Sequence, residues 1–388
     1  MLKITFFTCF GFPHGTYFRW HNLAIGLLHL GHQVTVITLD APAFKATKTE
    51  IRDGITYRLI PTTPLLQRIF RVHLDPITLL RTIRSSPPKS DVYHVFQPFP
   101  SSCLPALIHR RNARCLIYDW DDLWVGGLWP KIPLFPLRKG WVPRAVKLME
   151  HRMPGWSDAV TTCGSYLAEE AQRRGAHSVE IIHNGFWPDQ AYPTKADARR
   201  ELGLHPDAFY FGLMGRTQTE LEWCVDALRT ETASDTAPRL ALCGMSEAAV
   251  DALPGQFRSR IDYCGELSPE QARSFARALD CGLLPLEDTP FNQSRFPIKF
   301  ADYLAAGAHV ITSDIGEIAR LGQDHPNVTL AGTTRDQWKS CLTQTDLPKR
   351  LASRPPPSSP TLDASFDWLQ LASTLETFYR KTLAEKSS

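Results

Sequence analysis

The chain alternates short apolar runs with segments of helical periodicity, beginning at its first residues. Residues 2–7 form an apolar run of strand length, and Leu23 and Leu27 recur at helical spacing before Gly31. Residues 33–38 are rich in β-branched side chains and alternate like a strand. A strand, loop, helix and strand at this spacing predict a βαβ unit, which requires parallel strands joined by a right-handed crossover.

The alternation continues through two cycles of strand and helix. In the first cycle, predicted strands lie at 55–60, 91–96, 115–118, 159–162 and 179–182, with helices at 101–111 and 165–175. In the second cycle, predicted strands lie at 209–214, 240–243, 261–264, 281–284 and 309–312, with helices at 219–230, 268–278, 298–306 and 315–321. Strands that alternate with helices form parallel sheets, so the pattern predicts two doubly wound α/β domains.

The predicted domains divide the chain into three parts. An N-terminal α/β domain covers residues 1–187, a C-terminal α/β domain covers 188–363, and a terminal helix covers 364–388. A length of 388 residues fits two domains of ordinary size. Leu371 and Leu375 recur at helical spacing, so the terminal helix has an apolar face that needs a partner within the protein.

Composition and charge exclude several classes of protein. The chain is 43% hydrophobic and 21% charged, and it contains no run of about 18 apolar residues that could span a membrane. Its net charge of +3 is too small to indicate a nucleic-acid binder. The nine cysteines are scattered without zinc-ligand spacing, and the N-terminus predicts a strand rather than a signal peptide. We therefore expect a cytoplasmic protein with reduced thiols and no resident metal.

A glycine-containing loop at 11–16 follows the first predicted strand. Glycines at this place let the backbone approach a phosphate, and the start of the next helix favours anions. The loop lacks the GxGxxG pattern of dinucleotide-binding proteins. It is open to two interpretations, an ordinary turn or a phosphate-binding loop that includes Gly15 and Thr16.

Titratable side chains follow two other strands of the first domain. His94 lies near the end of the strand at 91–96, and Asp119, Asp121 and Asp122 follow the strand at 115–118. Three carboxylates within four positions repel one another, and such a cluster is costly unless it is exposed, bound to a metal or facing a polar ligand. A helix N-cap would explain one of them, so we expect at least one to belong to a site.

The second domain carries cations at its strand ends. Arg216 follows the strand at 209–214, where a guanidinium can bind a phosphate. Pro297 suits the first turn of a helix, and Lys299 and Asp302 are three residues apart on one face of that helix. A lysine at the positive end of a helix suits a diphosphate, and an aspartate one turn further suits the hydroxyls of a ribose.

Residues 296–307 (FPIKFADYLAAG) resemble the P-x-K-x-x-E-Y-x-A-x-G block of family 4-like glycosyltransferases with the GT-B fold. Other segments resemble further blocks of this family in the right order. They are 31–36 (GHQVTV), 91–94 (DVYH), 160–165 (VTTCGS), 184–185 (NG), 215–216 (GR) and 280–285 (DCGLLP). The resemblance spans nearly the whole chain.

The resemblance implies two Rossmann-like domains that face each other across a cleft, with a terminal helix that crosses back onto the N-terminal domain. The C-terminal domain would bind a nucleotide-sugar donor and the N-terminal domain a hydroxyl acceptor. Members of the family usually retain the anomeric configuration and need no bound metal. We therefore expect no cofactor beyond the donor itself, and a role in cell-surface polysaccharide or glycolipid synthesis.

The residues and the resemblance together predict a role for each candidate side chain. The predicted catalytic residues, which would line the sugar and acceptor pocket, are His94, Asp119 and Asp122. The predicted diphosphate-binding residues are Gly15, Thr16, Arg216 and Lys299. The predicted nucleoside contacts are Asp302, Gly265 and Leu267, and the predicted sugar contacts are Asn292, Ser294 and Pro297.

Three positions depart from the family pattern. The first acid of the family's Glu-x7-Glu pair falls on Ser294, and the second falls on Asp302. The lysine that usually follows the Gly-Arg block is absent near Leu221, so Lys299 would supply that charge. Asp119 and its acidic neighbours stand where many members have a histidine.

These departures leave two alternatives to a transferase: a nucleotide-sugar epimerase of the same fold, or a binding protein without catalytic activity. The acceptor is also open, as a sugar, a lipid-linked molecule or a small hydroxyl compound. Two segments, 65–84 and 124–152, mix basic with apolar side chains. Such segments suit a peripheral contact with the inner face of a membrane, although an ordinary solvated helix and an acceptor loop explain them as well.

Overall fold

The computed structural model describes most of the chain in two compact units. The described residues are 1–9, 16–40, 46–63, 75–128, 141–188, 192–215, 221–229, 237–344, 347–352 and 366–387. The N-terminal unit comprises Met1–Asn184, Ser294–Phe296 and Ser365–Ser388, and the C-terminal unit comprises Gly185–Gln293 and Pro297–Ala364. No helix among the described residues has the length and apolarity that a membrane span requires.

The N-terminal unit is built on one sheet, which has eight strands within the described residues. They are β1 (Lys3–Phe7), β2 (Gln33–Asp40), β3 (Lys48–Arg52), β4 (Ile55–Pro61), β5 (Ser90–Phe96), β6 (Ala113–Trp120), β7 (Ala159–Thr162) and β8 (Val179–Ile181). Their order across the sheet is β3-β4-β2-β1-β5-β6-β7-β8, and all neighbours are parallel except β3 and β4. The chain leaves the middle of the sheet in opposite directions from β1 and β5, so the predicted doubly wound topology is confirmed.

The hairpin of β3 and β4 is one strand pairing that the sequence pattern missed. Asp53 and Gly54 turn between the two strands, with φ angles of 51° and 79°. An Asp-Gly pair with both φ angles positive is a favoured two-residue hairpin turn. The signal for β3 was therefore present in the sequence, although its exposed, charged residues lack an apolar alternation.

Helices of the N-terminal unit cover both faces of this sheet. They are α1 (Tyr17–His29), α2 (Pro76–Ile83), α3 (Pro100–Ile108), α4 (Trp141–Trp156) and α5 (Ser165–Arg173). The connections through α2 to α5 all advance in one direction across the sheet, whereas α1 connects β1 to β2 in the other direction. Because parallel crossovers are right-handed, α2 to α5 lie on one face and α1 lies on the opposite face.

The C-terminal unit is a second doubly wound domain. Its strands are β9 (Tyr210–Met214), β10 (Arg239–Cys243), β11 (Ile261–Tyr263), β12 (Cys281–Leu284), β13 (His309–Thr312) and β14 (Val328–Leu330). They form a parallel sheet in the order β11-β10-β9-β12-β13-β14. The order reverses between β9 and β12, and ligands of such sheets bind at the carboxyl ends of the strands near that point.

The helices of this region are short. They are α6 (Lys195–Glu201), α7 (Leu221–Val225), α8 (Glu247–Asp251), α9 (Pro269–Ala278), α10 (Pro290–Ser294), α11 (Ile298–Ala305), α12 (Gly316–Gly322), α13 (Arg335–Leu342) and α14 (Leu347–Ala352). The predicted helix at 219–230 is shorter than expected, since α7 gives way to a single tight turn at Asp226–Arg229. The five predicted strands of this unit are confirmed to within one residue at each end, and the edge strand β14 was not predicted.

The terminal helix α15 (Trp368–Glu385) packs on the N-terminal unit, as the fold prediction required. Its buried face includes Leu375 and Tyr379. A Cβ atom on Gly26 of α1 would lie 2.5 Å from Cβ of Ala372 and 3.0 Å from the carbonyl oxygen of Trp368. The glycine therefore allows the backbones of α1 and α15 to approach closely, and the apolar face of the terminal helix finds its partner there.

Candidate functional site

Three glycines end neighbouring strands at the carboxyl edge of the C-terminal sheet. Gly215, Gly244 and Gly265 follow β9, β10 and β11, with φ angles of 107°, 76° and 72°. The Gly244 N–H donates a 2.8 Å hydrogen bond to the Gly265 carbonyl oxygen, and a Cβ on Gly244 would lie 3.2 Å from Cα of Gly215. These positive φ angles and close approaches require glycine. These glycine turns expose backbone without side chains at the carboxyl edge, beside the point between β9 and β12 where the strand order reverses.

Lys299 places a cation at this glycine edge. It lies in the first turn of α11, and a Cβ on Gly215 would overlap its Nζ and Cε atoms. The ammonium group therefore lies over the end of β9, in the space that a side chain at Gly215 would fill. Pro297 is the residue before the helix rather than part of its first turn, with an extended ψ of 126°.

Tyr303 ties α11 to the end of β9, and the sequence analysis did not identify it. It lies four residues after Lys299 on the same face of α11, and its hydroxyl accepts a 2.8 Å hydrogen bond from the Met214 N–H, next to Gly215. A Cβ on Gly282 of β12 would overlap the Tyr303 ring. A glycine inside a strand often marks such a close approach, so Gly282 was the available signal.

Asp302 is a half-buried carboxyl group whose charge depends on pH near neutrality. Burial raises its pKa to about 7, against the opposing effects of Lys299 and Arg273. Burial raises the pKa of the nearby Tyr192 phenol to about 12, and the charge of Asp302 adds to this effect. In its ionised form, Asp302 offers two oxygens that can accept hydrogen bonds from vicinal hydroxyls.

Asn292 presents a buried acceptor that no described residue uses. It lies on α10 with 2% of its surface exposed, and its Nδ2 atom donates a 2.8 Å hydrogen bond to the Glu287 carbonyl oxygen. Its Oδ1 atom has no hydrogen-bond partner among the described residues. A buried polar atom without a partner is costly, so this oxygen suits the predicted contact with a sugar hydroxyl.

The other predicted donor contacts fall in different places. Leu267 is half-buried and directly precedes Ser268, the N-cap of α9. Ser294 is buried and groups with the N-terminal unit, where its carbonyl oxygen accepts a 3.5 Å hydrogen bond from the Cys163 thiol. Gly15 and Arg216 lie outside the described residues, and so does the rest of the loop at 11–15.

Thr16 is held by a residue that the sequence analysis missed. The Gln97 side chain is fully buried after β5, where its Oε1 atom accepts a 3.1 Å hydrogen bond from Thr8 and its Nε2 atom donates to Thr16 Oγ1. Gln97 has a φ of 66°, a strained angle for a residue other than glycine. Because β1 and β5 flank the point where the strand order reverses, this strain lies at the ligand edge of the N-terminal sheet.

Asp119 forms a buried ion pair with Arg19 of α1. Arg19 Nε and Nη2 donate hydrogen bonds of 2.9 and 2.8 Å to the two carboxylate oxygens, and Arg19 Nη1 donates a 2.6 Å bond to the Ile182 carbonyl oxygen. The two side chains are 1% and 0% exposed. The sequence predicted a substrate contact for Asp119, but its two oxygens already bind a cation and the Thr161 hydroxyl.

His94 belongs to the same buried network. Thr161 donates its only hydroxyl hydrogen to Asp119, in a bond of 2.6 Å, so the 3.1 Å bond between His94 Nε2 and Thr161 must be donated by the imidazole. His94 Nδ1 therefore accepts the 2.6 Å bond from the Tyr379 hydroxyl of α15. Burial lowers the pKa of His94 to about 3, so the ring is neutral.

This network corrects two of the predicted catalytic assignments. Both ring nitrogens of His94 and both oxygens of Asp119 are bonded inside the N-terminal unit, and neither side chain is exposed. The expectation that they line an acceptor pocket does not fit this geometry. We assign both to positioning, since they tie α1, three strands and α15 together.

Asp122 remains the acidic candidate at the carboxyl edge of the N-terminal sheet. Burial raises its pKa to about 6, and Arg295 and Arg19 oppose that rise. Its neighbour Asp121 is 6% exposed, and the Oδ1 atom of Asp121 has no hydrogen-bond partner among the described residues. Burial and the nearby charges of Asp122 and Asp119 raise the pKa of Asp121 well above its usual value.

Among the described residues, no group of three His, Cys, Asp or Glu side chains could hold a metal ion. The charges of both edges are instead provided by arginine, lysine and aspartate.

Comparisons with known proteins match each unit separately. The Glycosyl transferase 4-like domain matches residues 15–185, and the Glycosyl transferases group 1 domain matches residues 205–344. A Bacillus subtilis (strain 168) protein named as a teichuronic acid biosynthesis glycosyltransferase, TuaH, is 22% identical over 212 residues, which are 53% of this chain and 52% of that protein. The chain thus aligns with about half the length of this curated relative.

Solved structures share the fold of the whole chain. Sucrose-phosphate synthase from Thermosynechococcus elongatus has a TM-score of 0.71 at 15% identity, covering 99% of this chain and 100% of that one. Anabaena HepE, solved in complex with UDP and glucose, has a TM-score of 0.69 at 15% identity, covering 98% and 100%. WaaG, a glycosyltransferase involved in lipopolysaccharide biosynthesis, has a TM-score of 0.65 at 15% identity, covering 97% and 99%.

The two domain matches follow one another along the chain and together cover most of it. The first match falls on the unit of the first sheet and the second match on the unit of the second sheet. The resemblance drawn from residues 296–307 is therefore confirmed. The chain belongs to the family 4-like glycosyltransferases of the GT-B fold.

Proposed function

We propose that this protein transfers a sugar from a nucleoside diphosphate sugar to a hydroxyl acceptor. The observation that carries the proposal is the Lys299 ammonium group over Gly215, at the carboxyl end of β9. Lys299 stands among backbone turns without side chains, at the ligand-binding edge of a doubly wound sheet. This arrangement suits a diphosphate, which needs a cation and close approach to the backbone.

The chemistry follows from the leaving group. The bond between the anomeric carbon and the diphosphate oxygen breaks, a bond to the acceptor oxygen forms, and the acceptor proton passes to the departing phosphate. Negative charge develops on the diphosphate, and Lys299 would stabilise it together with Arg216. Asp302 would bind the ribose hydroxyls, and the unpartnered Asn292 oxygen would accept a hydrogen bond from the sugar. A retaining, metal-independent reaction needs no further base.

The N-terminal unit would bind the acceptor at its own carboxyl edge. Asp122 and Asp121 lie there, and burial raises the pKa of both carboxyl groups. Such groups suit hydrogen bonds to hydroxyls, which are the nucleophiles of glycosyl transfer. The buried pair of Arg19 and Asp119 lies beneath them and would hold this edge in place.

The relatives support a more specific proposal for donor and pathway. HepE was solved with UDP, and the names of TuaH and WaaG refer to teichuronic acid and lipopolysaccharide. We infer a UDP-sugar as donor and an acceptor in cell-surface polysaccharide or glycolipid synthesis on the cytoplasmic side. The alternatives of an epimerase and of a binder without activity differ from this proposal in what happens to the donor.

The test has two stages. First, the melting temperature is measured with UDP, GDP, ADP, CMP and NAD, with and without Mg²⁺. A ligand at about 100 times its Kd stabilises a protein by about 2.7 kcal/mol. We expect UDP alone to raise the melting temperature, equally with and without metal. K299A should show a much smaller rise, while K339A, which changes an exposed residue of α13, should keep the full rise.

The second stage follows a labelled UDP-sugar with and without candidate acceptors. Transfer to an acceptor supports the proposal. Conversion of the donor to its epimer without an acceptor would favour the epimerase. Binding with no turnover for any acceptor would favour the inactive binder, and no stabilisation by any nucleotide would refute the donor site itself.

A further inference from the structure

Three neighbouring helices of the N-terminal unit share one outer surface. The helices α2, α3 and α4 lie side by side on the same face of the sheet, since each connects parallel strands in the same direction. We call their solvent-exposed side the three-helix face. It is distinct from the carboxyl edge that the candidate site occupies.

The exposed charges of the three-helix face are all positive. Within the three helices the only acidic residue is Glu150, and it is 2% exposed. Its oxygens accept hydrogen bonds of 2.6 and 2.9 Å from the Trp124 and Val125 N–H groups. The exposed cations on the helices and directly after them are Arg84, Arg111, Arg144, Lys147 and Arg152. The face therefore carries five positive charges and no exposed carboxylate.

The same face exposes large apolar side chains. The described residues include eight exposed large hydrophobic side chains, and five of them lie on these helices. They are Ile77 (46% exposed), Leu80 (45%), Ile108 (55%), Leu148 (45%) and Trp156 (37%). Single exposed apolar residues are common on protein surfaces, but their concentration on one layer of helices marks an interaction surface.

Neighbouring surfaces of the unit show that this pattern is local. The next helix along the sheet, α5, exposes Glu169 and pairs Glu170 with Arg174. On the opposite face, Glu376 of α15 pairs with Arg380. Both helices carry mixed charges, as ordinary solvated helices do. The lack of exposed acidic residues is therefore specific to the three-helix face and is not shared by α5 or α15.

We propose that the three-helix face docks on the surface of a bilayer that contains anionic lipids. Lysine and arginine attract anionic headgroups, while leucine, isoleucine and tryptophan enter the boundary between headgroups and acyl chains. A nucleic acid would neutralise the cations but would leave the aliphatic side chains without an apolar partner. The bilayer satisfies both features at once, and the inference does not depend on the donor or the acceptor of the proposed reaction.

The expected strength follows from the number of cations. Each basic side chain close to an anionic surface contributes a factor of about five in the partition coefficient. Replacing Arg144, Lys147 and Arg152 with glutamine should therefore weaken binding about 100-fold. All three are exposed on α4, outside the candidate site and the buried network. A matched control replaces Lys339, Lys349 and Lys381, which are exposed on other surfaces, with glutamine.

The experiment is co-sedimentation of the full chain with vesicles of phosphatidylcholine, alone or with about 30 mol% phosphatidylglycerol. We expect binding only to the anionic vesicles, weaker binding at high salt, loss in the triple variant and no loss in the control. Equal binding to both vesicle types, equal loss in both variants, or no binding at all would overturn the proposal. Binding to RNA as tight as binding to anionic vesicles would assign the face to nucleic acid instead.

Discussion

The buried ion pair of Arg19 and Asp119 supports a quantitative prediction about stability. Replacing Arg19 with methionine keeps an apolar stem of similar length but leaves the carboxylate, which is 0% exposed, without its cation. Removing one partner of a buried pair costs about 3–5 kcal/mol. Arg19 also donates hydrogen bonds to the Ile182 carbonyl oxygen and to Asn184 Oδ1. We therefore expect R19M to lose stability near the upper end of that range.

A second variant separates the charge from the rest of the loss. In R19M/D119L no carboxylate is left unpaired, and replacing a whole buried pair by apolar residues is often close to neutral. We expect the double variant to be about 2 kcal/mol more stable than R19M, although it has one substitution more. A matched control is R114M, since the Arg114 and Asp91 side chains are 58% and 27% exposed at 3.4 Å. Exposed pairs contribute about 1 kcal/mol or less.

Native-state hydrogen exchange of amides in β1, β6 and β7 is the assay, because it reports the stability of the N-terminal unit without assuming that both units unfold together. A loss below about 1 kcal/mol in R19M, equal to that of the exposed control, would refute the reasoning. So would a double variant that is no more stable than R19M.

Three further predictions concern pH and packing. Burial raises the pKa of Asp302 to about 7, so the affinity for UDP-glucose should rise between about pH 6 and 8 as the carboxylate forms. The phosphates of UDP-glucose do not titrate in this range, and D302N should remove the pH dependence. A wild-type profile as flat as that of D302N would contradict a ribose contact. Burial raises the pKa of Glu150 to about 7, above its unfolded value, so its contribution to stability is largest below about pH 4.5 and is lost as the pH rises towards 7. E150Q should flatten the dependence of stability on pH between about pH 4.5 and 7. An unchanged dependence would contradict the raised pKa of Glu150. In G26A, the new Cβ would overlap Ala372, so we expect a loss of about 1–3 kcal/mol and faster proteolysis of α15; wild-type resistance to proteolysis would show that α1 and α15 have room to separate.

The sequence predicted the fold well because both sheets are buried and, apart from the pairing of β3 with β4, parallel. Their strands are continuous apolar runs between amphipathic helices, and this alternation can be seen along the sequence without tertiary information. Leu240, Ala241 and Leu242 on β10, for example, alternate between the two faces of the sheet and are all fully buried, as a strand covered on both faces requires. The edge strand β3 was missed because its exposed residues lack that pattern, although Asp53 and Gly54 marked its turn.

The site was only partly predictable, because single residues do not reveal their partners. Lys299 and Asp302 were found since their spacing on one helix is a local property. His94 and Asp119 were assigned to catalysis because they stand near strand ends, yet Tyr379, Thr161 and Arg19 bind them from distant parts of the chain. Such contacts depend on how α1 and α15 pack against the sheet, and the sequence of a single segment carries no information about that packing.

Gln97 and Tyr303 were missed for the same reason. The role of Gln97 depends on a positive φ and on the positions of Thr8 and Thr16, neither of which its sequence neighbours indicate. Tyr303 stands in the segment that carried the family resemblance, but its contact with the Met214 N–H appears only in the folded unit.

The central claim is that Lys299 at the glycine edge binds the diphosphate of the donor without a metal. Calorimetric titration of UDP into the wild type and K299A, in the presence of a chelator, tests it most directly. We expect the wild type to bind and K299A to bind about 10–100-fold more weakly, the effect of losing a charged hydrogen-bond donor. Equal affinity of the two proteins, or binding that appears only when Mg²⁺ is restored, would contradict the account.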